Sequence, residues 1–364
     1  MFLLAMAQAT IGEKKPKPSE QSSAHVGVVE RVFHPKAVRD WRGAQKQELR
    51  VMVWYPAPVS AVEVPRVIGP PDAPLFEAGM ASPNAPMEPS LKQFPLIVLS
   101  HGSGGSAMQM AWLGTALARA GFIAAAVDHP GNNALEPYTP EGFILWWERA
   151  TDLSEVIDGM LADENFGLRI DKDRIGAAGF SLGGYTVMEI AGAQTDVSAL
   201  YDRCTGQQDQ SVCHSTEMKD MQTPQQMLAQ VRKTSGISLA ASADSYKDAR
   251  VHAVFAIAPG LGFTQTQESL RAIRMPVEIV VGGADRIAPA NENADYLRAN
   301  IHGARETVLP GGVAHYTFLD TCTVAAKKQL GVYCEDAATV DRDKVHAQVA
   351  GEAVGFFRNA LQVK

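Results

Sequence analysis

Long apolar runs are missing from this 364-residue chain. No stretch approaches the roughly 20 residues that a helix needs to cross a bilayer, so a helical transmembrane reading is excluded. Charge of one sign is scarce as well: 33 Lys and Arg stand against 40 Asp and Glu, for a net charge of −7. With no long basic run, nucleic acid and anionic membrane surfaces are poor partners. Cysteine is limited to four residues, which fall into two local pairs, Cys204 with Cys213 and Cys322 with Cys334. Four cysteines permit three connectivities, of which this is the most local. Neither spacing is C-x-x-C and only His214 lies close by, which argues against structural zinc. Two short-loop disulfides suit an oxidising compartment.

What is present is ordinary for a chain with a sizeable core, with 46% apolar and 20% charged residues. Residues 2–9, FLLAMAQA, are apolar and end in Ala-x-Ala, like the tail of a secretory signal without its basic n-region. Together with the cysteines they favour a periplasmic or secreted location over a cytoplasmic one. Residues 1–24 read as a disordered leader, and residues 25–364 as one α/β domain.

The pattern alternates. Residues 26–33 and 48–55 exchange apolar and polar positions, as a half-exposed antiparallel pair does. Residues 56–94, dense in Pro, Ala and Gly, read as an irregular excursion. Strands are expected at 95–100, 122–127, 174–178, 251–257, 277–281 and 305–309, with helices at 107–120, 144–161, 291–300 and 343–361. That makes a doubly wound, mostly parallel sheet of about eight strands. A polar Gln/Ser/Asp-rich insertion, about 194–250, follows the helix after residue 183 and reads as a lid over a site.

The most specific motif is Gly179-Phe180-Ser181-Leu182-Gly183, set between the expected strand 174–178 and a helical stretch from Gly184. G-x-S-x-G in that setting is a nucleophile elbow: a turn so tight that flanking glycines are required, with the serine hydroxyl lifted above the sheet. A serine hydroxyl needs an adjacent base, and the base an orienting acid. Working groups in such sheets sit beyond the carboxyl ends of the strands. Among nine histidines, His302 precedes a strand and His346 falls within a helix, whereas His315 follows the last strand in Pro310-Gly311-Gly312-Val313-Ala314-His315. Asp285 lies just past strand 277–281, in Gly282-Gly283-Ala284-Asp285, with Asp320 as the alternative acid. For a developing oxyanion, the donors expected are the amide of Leu182 and one from Ser100-His101-Gly102-Ser103-Gly104-Gly105, Ser103 first and Gly102 second. Phe180, His129, Trp146 and Trp147 are candidates for the substrate pocket, with the core as the other reading of the two tryptophans. No motif calls for a metal or a cofactor.

These elements together resemble the α/β-hydrolase superfamily from about residue 95 onward. Within it the chain is similar to the predicted dienelactone hydrolase group, related to the plasma type of platelet-activating-factor acetylhydrolase. The residues that carry the likeness are Ser100-His101-Gly102-Ser103-Gly104-Gly105, Val127-Asp128-His129-Pro130-Gly131-Asn132, Gly179-Phe180-Ser181-Leu182-Gly183-Gly184 and the loops at Asp285 and His315. Two departures keep either substrate from carrying over. Dienelactone hydrolases use a cysteine where this chain has Ser181, and the acetylhydrolases take their acid after an earlier strand, where Ala258-Pro259-Gly260-Leu261-Gly262 offers no carboxylate. The resemblance implies ester hydrolysis; with Ser181, His315 and Asp285 in these roles, the chain reads as a serine carboxylesterase working on small-molecule esters through an acyl-enzyme. The same triad could serve an amidase or peptidase, and a non-catalytic binding protein on this fold is the remaining alternative.

Overall fold

The computed structural model describes residues 24–90, 92–206 and 222–363. The leader expected at 1–24 and the disulfide candidate Cys213 therefore fall, but for residue 24, outside the described residues. Eight strands form the main part of an 11-stranded sheet: β1 (His25–Phe33), β2 (Leu49–Ala57), β5 (Phe94–Ser100), β6 (Ile123–Val127), β7 (Ile170–Phe180), β8 (Val251–Ile257), β9 (Val277–Gly282) and β10 (Arg305–Leu309). Their order is β10-β9-β8-β7-β5-β6-β2-β1. From β10 to β6 every pairing is parallel, while β2 runs antiparallel to β6 and to β1.

The alternation along β5 explains why the sheet is covered on both faces. Leu96 and Val98 enter one core with Leu153, Val156 and Ile157 of helix Arg149–Ala162. Ile97 and Leu99 enter the opposite core with Leu113 and Leu117 of helix Ala111–Arg119 and Phe356 and Phe357 of helix Arg342–Ala360. A strand buried on both sides needs a continuous apolar run, and β5 is buried along its whole length.

One expectation is corrected. Residues 56–94 are not an irregular excursion: β2 runs on through Ala57, and β3 (Val64–Ile68) and β4 (Phe76–Pro83) form an antiparallel hairpin. β4 joins the central sheet beside β1, and the short β11 (Thr321–Cys322) pairs with its other portion. The pattern hid these strands because β3 carries Pro65 and β4 carries Gly79 and Pro83, residues confined to sheet edges and irregular pairings. The insertion about 194–250 supplies the helices Val197–Gly206, Pro224–Thr234 and Gly236–Ala240. Leu200, Met227, Leu228 and Val231 bury against Trp146, Trp147, Leu182 and Tyr185.

Candidate active site

Ser181 is held by geometry that only this local sequence permits. β7 ends at Phe180, Ser181 adopts φ 54° and ψ −116°, and helix Leu182–Ala191 starts at once. A left-handed φ on a residue with a side chain is strained, and such strain persists only where the surroundings enforce it. A Cβ on Gly179 would lie 2.2 Å from the carbonyl oxygen of Gly183, and one on Gly183 would lie 1.9 Å from that of Ser100. Both neighbours are backbone, so no side chain can yield. The hydroxyl is thereby presented beyond the carboxyl end of β7, at the first turn of a helix whose leading amides have no intrahelical acceptor.

Three strand-end loops converge on it. His315 Nε2 lies 2.8 Å from Ser181 Oγ, and His315 Nδ1 lies 2.7 Å from Asp285 Oδ2. A carboxylate can only accept, so the ring proton sits on Nδ1 and leaves Nε2 to receive the serine proton. Asp285 is itself fixed: its Oδ1 accepts the amides of Ile287 and Ala288 at 2.9 and 2.8 Å. Asp285 and His315 are buried while Ser181 is half-buried, so the chain opens to solvent at the serine end. Asp320, the alternative acid, is fully buried away from this chain of bonds. Burial pushes its carboxyl well above the usual range, and its backbone carbonyl accepts from Arg342 at 3.2 Å.

Beside Ser181 lies a cleft of about 310 Å³. Gly102, Ser103 and Phe180 line it, as does His315, whose ring lies 5.0 Å from that of Phe180. Three candidates lie elsewhere. Trp147 is buried and its indole N–H donates to the Ser238 carbonyl at 3.2 Å. Trp146 borders a separate small apolar gap with Val197, Leu200 and Leu228. Both rings pack under the insertion, whose helices require an apolar partner, and among the described residues no member of 194–250 lines the cleft. His129 is fully buried and does not reach the cleft either.

His129 instead belongs to a buried network that sequence reasoning missed. Its Nδ1 donates to Asp152 Oδ2 at 2.6 Å, and its Nε2 accepts the Ser100 hydroxyl at 2.9 Å. The Ser-His-Asp connectivity of the exposed site is thus repeated in a place no solute reaches. Burial, then the charge of Arg149, pushes the His129 imidazole down to about 3, so it stays neutral. Burial would raise Asp152, but Arg42 and Arg39 hold its carboxyl well below the usual carboxylate range. Arg149 donates to the His101 carbonyl, and its guanidinium is lowered to about 9 by burial and by Arg42. The His129 amide donates to His101 Nε2 at 3.2 Å, while His101 Nδ1 donates to the Gly102 carbonyl at 2.6 Å. Asn132 Oδ1 accepts the Gly104 amide at 3.0 Å. All these bonds fix the loop that carries Gly102 and Ser103. The run of residues 127–132 was a signal for it, but Arg149 and Asp152 sit on a helix with nothing to mark them.

A further buried acid lies on the elbow helix. Glu189 Oε1 accepts from Thr195 Oγ1 and Gln265 Nε2, both at 3.0 Å, and burial raises its carboxyl to about 8. No group of three or more metal-ligating side chains gathers among the described residues. No helix there is long and apolar enough to cross a membrane.

Known proteins match part of this chain in sequence and nearly all of it in fold. Residues 77–141 match the model of the family described as platelet-activating factor acetylhydrolase, isoform II. Two cutinases of Thermobifida alba, est1 and est2, are each 32% identical over 105 residues, which is 28% of this chain and 32% of each cutinase. The match thus spans about a third of the length of these relatives. A solved structure of a ferulic acid esterase from Streptomyces cinnamoneus superposes with a TM-score of 0.63 at 21% identity, covering 96% of this chain and 93% of that one. The fold is therefore that of the α/β-hydrolases, with its mostly parallel sheet flanked by helices.

Proposed function

We propose that this chain is a serine carboxylesterase acting on small-molecule esters through an acyl-enzyme. The observation that carries the reading is the unbroken path from Asp285 through His315 to Ser181 Oγ, ending at a cleft. Ser181 Oγ attacks the ester carbonyl as its proton passes to His315 Nε2, and the imidazolium then forming is stabilised by Asp285. The same proton is delivered to the departing alkoxide, leaving the acyl group on Ser181. Water then gives a proton to His315 Nε2 as it attacks the acyl carbonyl, and that proton passes to Ser181 Oγ as the acyl–oxygen bond breaks and the acid leaves. The oxyanion of each tetrahedral intermediate is assigned to the amide of Leu182, at the first turn of the elbow helix, and to that of Ser103 or Gly102. The match to an acetylhydrolase family and to cutinases, and the fold shared with a ferulic acid esterase, support ester over other acyl substrates.

A panel of p-nitrophenyl esters set against the matching p-nitroanilides tests this. We expect ester turnover, labelling of Ser181 by a fluorophosphonate, and loss of about 10⁵-fold or more in kcat for Ser181→Ala and for His315→Ala. Anilide turnover above ester turnover would make the chain an amidase, and failure of both turnover and labelling would leave a binding protein.

A further inference from the structure

Two sets of residues line the cleft beside Ser181. One comprises Leu75 and Phe76 of the β3–β4 hairpin with Leu330 and Tyr333 of the loop closed by the disulfide Cys322–Cys334, and Cys322 pairs with Phe76 across the β11–β4 ladder. The other is the loop after β5, where a Cβ on Gly102 would lie only 3.3 Å from that of Ser181. Most amides of this loop already have an acceptor. Gly104 donates to Asn132 Oδ1 at 3.0 Å, Gly105 to the Gly102 carbonyl at 3.2 Å, Ser106 to Gln109 Oε1 at 3.2 Å and Ala107 to Asp128 Oδ1 at 2.6 Å. The amides of Gly102 and Ser103 have none among the described residues.

The two free amides are nevertheless fixed in direction. A trans peptide points its N–H and C=O to opposite sides of one plane, so whatever holds the carbonyl aims the amide. The His101 carbonyl, coplanar with the Gly102 amide, accepts from Arg149. The Gly102 carbonyl, coplanar with the Ser103 amide, accepts from His101 Nδ1 at 2.6 Å. The His101 ring is locked in turn, because its Nε2 accepts the His129 amide at 3.2 Å and the ring proton must sit on Nδ1. Burial, then the charge of Arg149, pushes His101 well below its ordinary value, so Nε2 stays an acceptor.

Arg149 itself is fully buried, yet no carboxylate pairs with it among the described residues. Asp152, three residues on, is taken by Arg39, Arg42 and His129. The Arg149 donors go to neutral oxygens: the His101 carbonyl, Ser100 Oγ at 3.4 Å and Asn132 Oδ1 at 3.5 Å. A buried cation without a counter-ion is costly, and covering a sheet with a helix does not call for one. An oxyanion forming on the far side of the same two peptides would supply the missing negative charge. We propose that Arg149 is a positioning residue of the oxyanion hole: it holds the His101 carbonyl toward the interior, keeps the Gly102 and Ser103 amides turned to the cleft, and strengthens them as donors through its charge. Hydrogen bonds in series polarise one another, which carries the effect across the peptides. This rests on the esterase reading above and adds to it a residue that touches no substrate.

The test combines hydrolysis of p-nitrophenyl butyrate with inhibition by a trifluoromethyl ketone of the same acyl length. As Ser181 Oγ bonds to the ketone carbon, its proton passes to His315 Nε2 and the former carbonyl oxygen becomes an oxyanion. Ki therefore reads the oxyanion hole without turnover. Arg149→Met should lower kcat about 10²-fold, leave KM within about threefold, and raise Ki by about the factor that kcat/KM falls. Arg149→Lys keeps the charge but not the planar fork and should lose about tenfold in kcat and in ketone affinity. Weakened packing alone would lower Tm without making Ki follow kcat/KM. Wild-type kcat and Ki in Arg149→Met, or in Arg149→Lys should the methionine variant fail to fold, would overturn the proposal while the esterase reading stood, as would a loss confined to KM. Absence of ester turnover and of fluorophosphonate labelling in the wild type would instead remove the reading beneath it.

Discussion

At the scale of single residues, the assignment of the acid is the sharpest point. Asp285 has one carboxylate oxygen committed to two amides and the other to His315, an arrangement that fits the proposed role of orienting the ring. Replacement by Asn presents a donor where an acceptor is needed, or forces the other tautomer. Asp285→Asn should therefore lower kcat by about 10⁴-fold with little change in KM. Asp320→Asn should keep kcat within a few-fold, because Asp320 has no bond to His315. Steady-state kinetics on the two variants decides: a harmless Asp285→Asn beside a crippling Asp320→Asn would reverse the assignment. Ser181, His315 and Asp285 were legible because each lies just past a strand end in a glycine-bearing loop. Arg149, Asp152 and Ser100 were not, since a buried polar group betrays itself only through partners distant in sequence, here 48 residues from Arg149 to His101.

At the scale of elements, the helix Arg149–Ala162 does more than cover the sheet. Its Asp152 neutralises Arg42 and Arg39 and orients His129, and its Arg149 grips the strand end that precedes the proposed oxyanion loop. Removing one partner of a buried ion pair leaves an uncompensated charge. Asp152→Ala is expected to cost about 3–5 kcal/mol in urea-induced unfolding. An unfolding free energy equal to the wild type's would mean that the arginines find other partners. The hairpin β3–β4 and the described insertion helices dock on different surfaces. The polar insertion buries the tryptophans, and the Pro-rich stretch builds the cleft. Polarity and proline content report how exposed a segment is and how its backbone bends. They carry no information about which distant surface it will dock on.

At the scale of the whole molecule, buried titratable groups make stability depend on pH from both sides. Glu189 is raised to about 8 from an ordinary carboxyl value of 4.5, so between those values the native state holds a proton that the unfolded chain has lost. Its stabilising contribution is complete below about pH 4.5 and is lost as pH rises toward 8. His129 and His346, lowered to about 3 and about 4 chiefly by burial, act in the opposite sense. Their contributions are complete above about pH 6.5 and fade as pH falls through the folded values. Thermal melts of Glu189→Gln should therefore show a smaller fall in Tm from pH 5 to pH 8 than the wild type; parallel profiles would mean that Glu189 is charged throughout.

The sequence by itself determined the alternation of eight strands with their helices, the elbow at Ser181 and the partners that chain order puts at the strand ends. These follow from local rules: periodicity decides which face is buried, and the glycines at 179 and 183 permit a turn that any side chain would block. Tertiary structure alone decided the buried Ser100–His129–Asp152 relay, the burial of Trp146 and Trp147, and the joining of a hairpin near residue 76 to a disulfide loop near residue 322. Those outcomes depend on which apolar and charged surfaces meet once the sheet has formed. Such meetings are set by shape and by partner availability in three dimensions, over separations that no local pattern spans.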